Sequence, residues 1–161
     1  MPPLVEVRAY SLLIVPVRFV LALAGFAGAR LLGVSPGGAL TLWGLGAGLF
    51  VLAMLTSRRR RLFWLRAHEA TPIDSEAPVA GRAQTVARAA SPSTIAVSAL
   101  TAIALPLNPS LAALLAGVLA GMAVVGLVFG LELVLWEREA GVRLLATTGL
   151  RSELYVRPGA S

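Results

Sequence analysis

Cysteine and lysine are both missing from the 161 residues, and histidine occurs once, at His68. Without cysteine there can be no disulfide, thiolate metal site or thiol nucleophile. A lone histidine has no second His or Cys to complete a ligand set, so neither a metal nor a cofactor is expected. No Ser-His-Asp arrangement can be drawn around His68, which sits beside Glu69 in a polar segment, so enzymatic activity is the least expected class of function. Charge is scarce too. Only 14% of the residues are charged, against about a quarter in soluble domains.

What fills the chain instead is apolar: 57% of residues are hydrophobic and the mean hydropathy is +0.81. These residues come in long runs rather than at a period of 2 or 3.6, which points to lipid as the solvent. Four runs can be drawn, at 11–33, 36–57, 92–107 and 109–136. Runs one, two and four reach the roughly 20 residues that a spanning helix needs; the third is short and rich in Ser, Thr and Ala. Run one is too long for a cleaved leader, carries Arg18 and lacks a small-x-small site, so it is read as a span.

The starts of three runs share one chemistry. Ser35-Pro36, Ser91-Pro92 and Asn108-Pro109 each put a capping side chain before a proline. Ser or Asn accepts a bond from a free backbone N–H, and proline at the first helical position has no N–H to leave unsatisfied. The links at 33–35 and 107–108 are then very short, and the runs pair as hairpins.

All 14 basic residues are arginine, and net charge is +6. A sequence pI near 11.4 would suit a nucleic-acid binder, but the arginines gather at the ends of apolar runs and no nucleic-acid module is present. The densest cluster, "TSRRRRLFWLR" at 56–66, directly follows run two. Hydrated guanidinium groups resist crossing a bilayer and mark the cytoplasmic side. Arg8, Arg82, Arg88, Arg138, Arg143, Arg151 and Arg157 fall on that same side if four helices cross with both termini inside, leaving only Arg30 near the opposite face. Arg58, Arg59, Arg60, Arg61, Trp64 and Arg66 form a candidate site for anionic lipid or a protein partner, with Phe63 and Trp64 at headgroup level. Exclusive use of arginine reads first as GC-rich coding, and a bacterial plasma membrane is the expected location.

Shifting the sequence by 73 positions lays Pro36, Ala39, Leu42, Gly44, Ala47, Gly48 and Val51 on Pro109, Ala112, Leu115, Gly117, Ala120, Gly121 and Val124. Each unit contains two crossings, so the repeats would be parallel. Between lipid-facing helices the attraction must come from close backbone approach, which small residues permit. Gly44 and Gly48, Gly117 and Gly121, Gly126 and Gly130 each clear one helix face. Gly25 and Gly28 in run one, and Thr94, Ser98 and Thr101 in run three, are expected to turn toward them. An intrachain bundle is expected ahead of a homodimer seam.

Apart from Arg30, two charges lie within the runs, Arg18 and Glu132, both set at about 10 Å or less from the cytoplasmic end. A charge at that depth calls for a partner, and an Arg18–Glu132 ion pair is expected. The sequence thus describes an all-α integral membrane four-helix bundle of two parallel-repeated transmembrane hairpins, one domain over 1–161, with a cytoplasmic loop at 58–90 and a tail at 137–161. A short helix is expected at 79–90, and the tail should begin as a continuation of the last helix. Its expected role is that of a non-enzymatic subunit or scaffold. The bilayer, anionic lipids and either a membrane-protein partner or further copies of itself are its expected partners; nucleic acid is not. The second reading is an oligomeric small transporter or channel subunit using Glu132 and Arg18.

Overall fold

The computed structural model describes residues 4–73, 79–81, 85, 92–147 and 153–158. The chain is mostly helical. Among the described residues the helices are α1 (Val7–Leu13), α2 (Val15–Leu31), α3 (Pro36–Leu55), α4 (Arg58–His68), α5 (Ser93–Leu107) and α6 (Pro109–Ala140). Four short strands accompany them among the described residues: β1 (Leu4–Glu6), β2 (Thr71–Pro72), β3 (Val142–Thr147) and β4 (Leu154–Pro158). Val7–Leu31, Pro36–Leu55 and Pro109–Ala140 are long and apolar enough to cross a membrane. On α3, Leu40, Leu45, Leu49 and Leu52 are 49–61% exposed. In water each would forfeit much of the roughly 1.5–3 kcal/mol that burying such a side chain gains, so this surface calls for an apolar surrounding.

The capping chemistry appears where the prolines stand. Ser35 Oγ accepts the Gly38 N–H at 3.2 Å, and Asn108 Oδ1 accepts the Leu111 N–H at 3.1 Å. Ser91 lies outside the described residues, and Pro92 occupies the position before α5. The first run departs from expectation: its helix begins at Val7, four residues early, and divides at Ile14. Pro16 accounts for the division, because it cannot donate to Leu12 and its ring crowds that carbonyl. At the far end, Arg30 folds back so that its Nη1 donates to the Val34 carbonyl at 2.5 Å.

α6 is the hub: α3, α2 and α5 all pack on it, whereas α2 and α3 touch only lightly. Contacts show that α2 runs parallel to α5 and α3 parallel to α6. The packing is nevertheless not two-fold. α2 lies against α6, but the corresponding pair, α5 and α3, hardly meets. Ala22, Leu119, Ala120 and Met122 form the buried centre, with Trp43, Phe50 and Val97 packed around it.

The all-α expectation is corrected by a mixed sheet in the order β1-β3-β4-β2. β1 and β3 are antiparallel, with Leu4 opposite Thr147; β3 and β4 form an antiparallel pair with Leu145 opposite Tyr155. β2 runs parallel to β4, and Val79 bridges Leu4 at the other edge. The tail, from 137, continues the last helix through Ala140. α6 stops at Gly141, whose φ of +66° suits glycine as the left-handed cap, and the chain turns into β3. Strands from three distant parts of the chain meet here, so the two described ends and the central segment share one end of the helices. The helix expected at 79–90 falls mostly outside the described residues.

A second hydrophobic centre joins this sheet to the helices. Val7, Ala67, Leu133 and Leu144 are buried together, with Phe63, Trp64, Phe129, Trp136, Leu154 and Val156 around them.

Candidate functional site

The arginine cluster is a helix rather than a loop. α4 divides cleanly at helical spacing. Phe63, Trp64 and Ala67 face inward, Ala67 being 2% exposed. Phe63 meets Phe129 edge-on at 4.8 Å, and Trp64 meets Trp136 at 6.2 Å. Trp64, expected to face lipid or a partner, is half-buried, with its ring packed against the aromatic core beneath the sheet. His68 donates from Nδ1 to the Trp64 carbonyl at 2.7 Å and stacks edge-on against Trp136. Among the described residues no group of His, Cys, Asp and Glu could hold a metal.

Arg60 also turns inward and pairs with Glu132. Arg58, Arg61 and Arg66 face outward with Leu62 and Leu65, which are 52% and 61% exposed. The side chain of Arg59 lies outside what the structure describes. Arg60 and Glu132 are each about one-third exposed, and such pairs contribute about 0–1 kcal/mol. Arg60→Gln should accordingly lower stability by less than about 1 kcal/mol, read as a small shift of thermal midpoint in detergent.

Arg18 and Glu132 are not brought together. Arg18 Nε donates to Thr94 Oγ1 at 2.8 Å, and its Nη1 to the Met122 carbonyl at 3.3 Å. It thus ties α2 to the first turn of α5 and the middle of α6. Glu132 lies ten residues farther along α6 than Met122, about 15 Å at the α-helical rise, which puts it beyond reach. Of the hydroxyls on α5, Thr101 bonds back to the Val97 carbonyl at 2.8 Å, and Ser98 Oγ is buried without a hydrogen bond.

One charged cluster was missed in the sequence. Glu137, 5% exposed, accepts the Leu144 N–H at 2.8 Å and lies 3.5 Å from Arg8 Nη1. Arg8 also approaches Glu6 at 3.9 Å, and Glu6 accepts from Arg143 at 3.2 Å. Two acids and two bases therefore weld β1, the start of α1, the end of α6 and β3 together. No sequence cue marks this network, because its members are up to 137 residues apart.

The small residues divide likewise. A Cβ on Gly117 would run into the Trp43 carbonyl, one on Gly46 into the Leu114 carbonyl, and one on Gly121 would lie 2.8 Å from the Ala47 carbonyl oxygen. The same test on Gly25 meets Ala116 at 2.9 Å and Thr101 at 3.0 Å; on Gly28 it meets Leu105 at 2.9 Å. Gly25 and Gly28 thus pack on α5 and α6 rather than on α3. Gly44 and Gly48 would meet nothing within 4 Å, so the packing role read for them within the chain is corrected. The face of α3 that packs is Ala39, Trp43, Gly46 and Phe50, whose spacing of four, three and four could have been found.

Comparison with protein-family models, with curated proteins and with solved structures yields no match.

Proposed function

We propose that the protein is a non-enzymatic membrane subunit or scaffold of a bacterial plasma membrane. In this reading four helices cross as two hairpins, α5 being the short span, and both termini are cytoplasmic. The joining of β1, β2, β3 and β4 at one end of the helices supports this orientation, as does the position of the arginines. The observation that carries the functional reading is the commitment of both intramembrane charges to structure: Arg18 ties three helices together, and Glu132 holds α4. What is left to the outside is an apolar face of α3, free to take a partner's helix, and a basic α4.

The test is reconstitution into sealed liposomes together with photo-crosslinking in the producing cell's membrane. Proton and ion flux should match protein-free vesicles, and probes at Leu45 or Leu49 of α3 should give one discrete polypeptide adduct. A flux that Glu132→Gln abolishes would replace this reading with the transporter; adducts to lipid alone would remove the scaffold.

A further inference from the structure

We infer that α4 is an in-plane membrane anchor whose outer face takes the phosphates of anionic phospholipids. The inference rests on the membrane reading above and names the occupant of the basic face. Only two residues separate the end of α3 from the start of α4, which packs across α6 at Phe129, Leu133 and Trp136, so it lies where a spanning helix leaves the apolar layer. Its inner face is fully used by the aromatic core and by the Arg60–Glu132 pair. On the outer face, Leu62 and Leu65 form a central apolar stripe with Arg61 on one flank, Arg66 on the other and Arg58 one turn before. Glu69 is the acidic residue that follows this face, after the helix ends. Arg58, Arg61 and Arg66 form no ion pair among the described residues.

That pattern has one physical solution at a bilayer surface. The leucines enter the acyl boundary while the guanidinium groups, on long apolar stems, reach up to phosphate. Arginine suits this task because its planar fork can donate two bonds to one phosphate. Charge selects among lipids, with about a fivefold gain in local partitioning for each arginine near an anionic surface. A protein groove would favour the leucines but would have to pair three outward arginines as well. The headgroup layer satisfies both at once.

The chain has no cysteine, so Leu65→Cys gives a unique thiol for a bimane label on the full-length protein in phosphatidylcholine–phosphatidylglycerol vesicles. Phosphatidylglycerol brominated near the headgroup should quench the label at least fivefold more effectively, mole for mole, than brominated phosphatidylcholine. Arg58→Gln, Arg61→Gln and Arg66→Gln combined should bring the two lipids to parity, whereas Arg60→Gln should keep the preference. Quenching by aqueous acrylamide with none by lipid would overturn the inference, as would equal quenching by both lipids in the unsubstituted helix. A label reached by neither quencher would mean a protein covers α4, which overturns the inference while leaving the scaffold reading intact.

Discussion

Gly117→Leu is expected to leave almost no folded protein. At Gly117 the backbones of α3 and α6 approach so closely that a Cβ would collide with the Trp43 carbonyl, and Gly46 faces Leu114 in the same way. Overpacking commonly costs about 1–3 kcal/mol when neighbouring side chains can yield. Here the obstacle is main chain, so α3 must move away from α6. The neighbouring contacts of Trp43, Ala47 and Phe50 with Leu119, Ala120 and Gly121 would be lost with it. Lipid supplies no hydrophobic drive to hold separated helices together, and the loss should exceed about 3 kcal/mol. The comparison that makes the result specific is Gly44→Leu and Gly48→Leu, whose side chains would enter open space. Fluorescence-detected size exclusion in mild detergent, with helical thermal melts, should show aggregation for Gly117→Leu and Gly46→Leu and a near-normal midpoint for the other two. Equal damage from all four would mean that α3 presents a different face to α6.

The contrast between Gly44 and Gly46 shows where the sequence stopped being legible. Span boundaries could be read because capping is local: Ser35 and Asn108 act on N–H groups three residues away. Small-residue spacing is also local, but it specifies a helix face without saying what that face meets. α3 carries two such faces, and the glycine pair at a spacing of four is the outward one. Arg18 and Glu132 do not pair because equal distance from the ends of two apolar runs is not equal height in the bundle: α6 continues to Ala140, and Arg18 sits level with Met122. The sheet was illegible for a different reason. Leu144 and Leu145 are both buried, on opposite faces of β3, so the strand shows no alternation of apolar and polar residues. Its partner β1 is three residues long and lies at the other end of the sequence. α4 falls between these cases: its arginines were conspicuous, but only the placement of Phe129 and Trp136 shows which side of the helix they leave free.

Glu137→Leu is expected to open the sheet while leaving the helices packed. The carboxylate is 5% exposed and is the acceptor for the Leu144 N–H. Removing it orphans that donor beside Leu133 and Val7, at a cost of about 1–3 kcal/mol, and also frees Arg8. Because Arg8 is one-third exposed, water can take over much of its solvation, so the lost ion pair adds less. Four short strands have little reserve against a loss near 3 kcal/mol, whereas the small-residue seam from Ala112 to Ala123 shares none of these contacts. Hydrogen exchange should therefore speed up by about 100-fold at 142–147 and 154–158, with no change at 112–123. Glu137→Gln keeps an acceptor oxygen for Leu144 and should show at most a tenth of that acceleration. If the seam accelerates together with the strands, the two hydrophobic centres are one cooperative unit, and Glu137 is a keystone for the whole molecule rather than for the sheet alone.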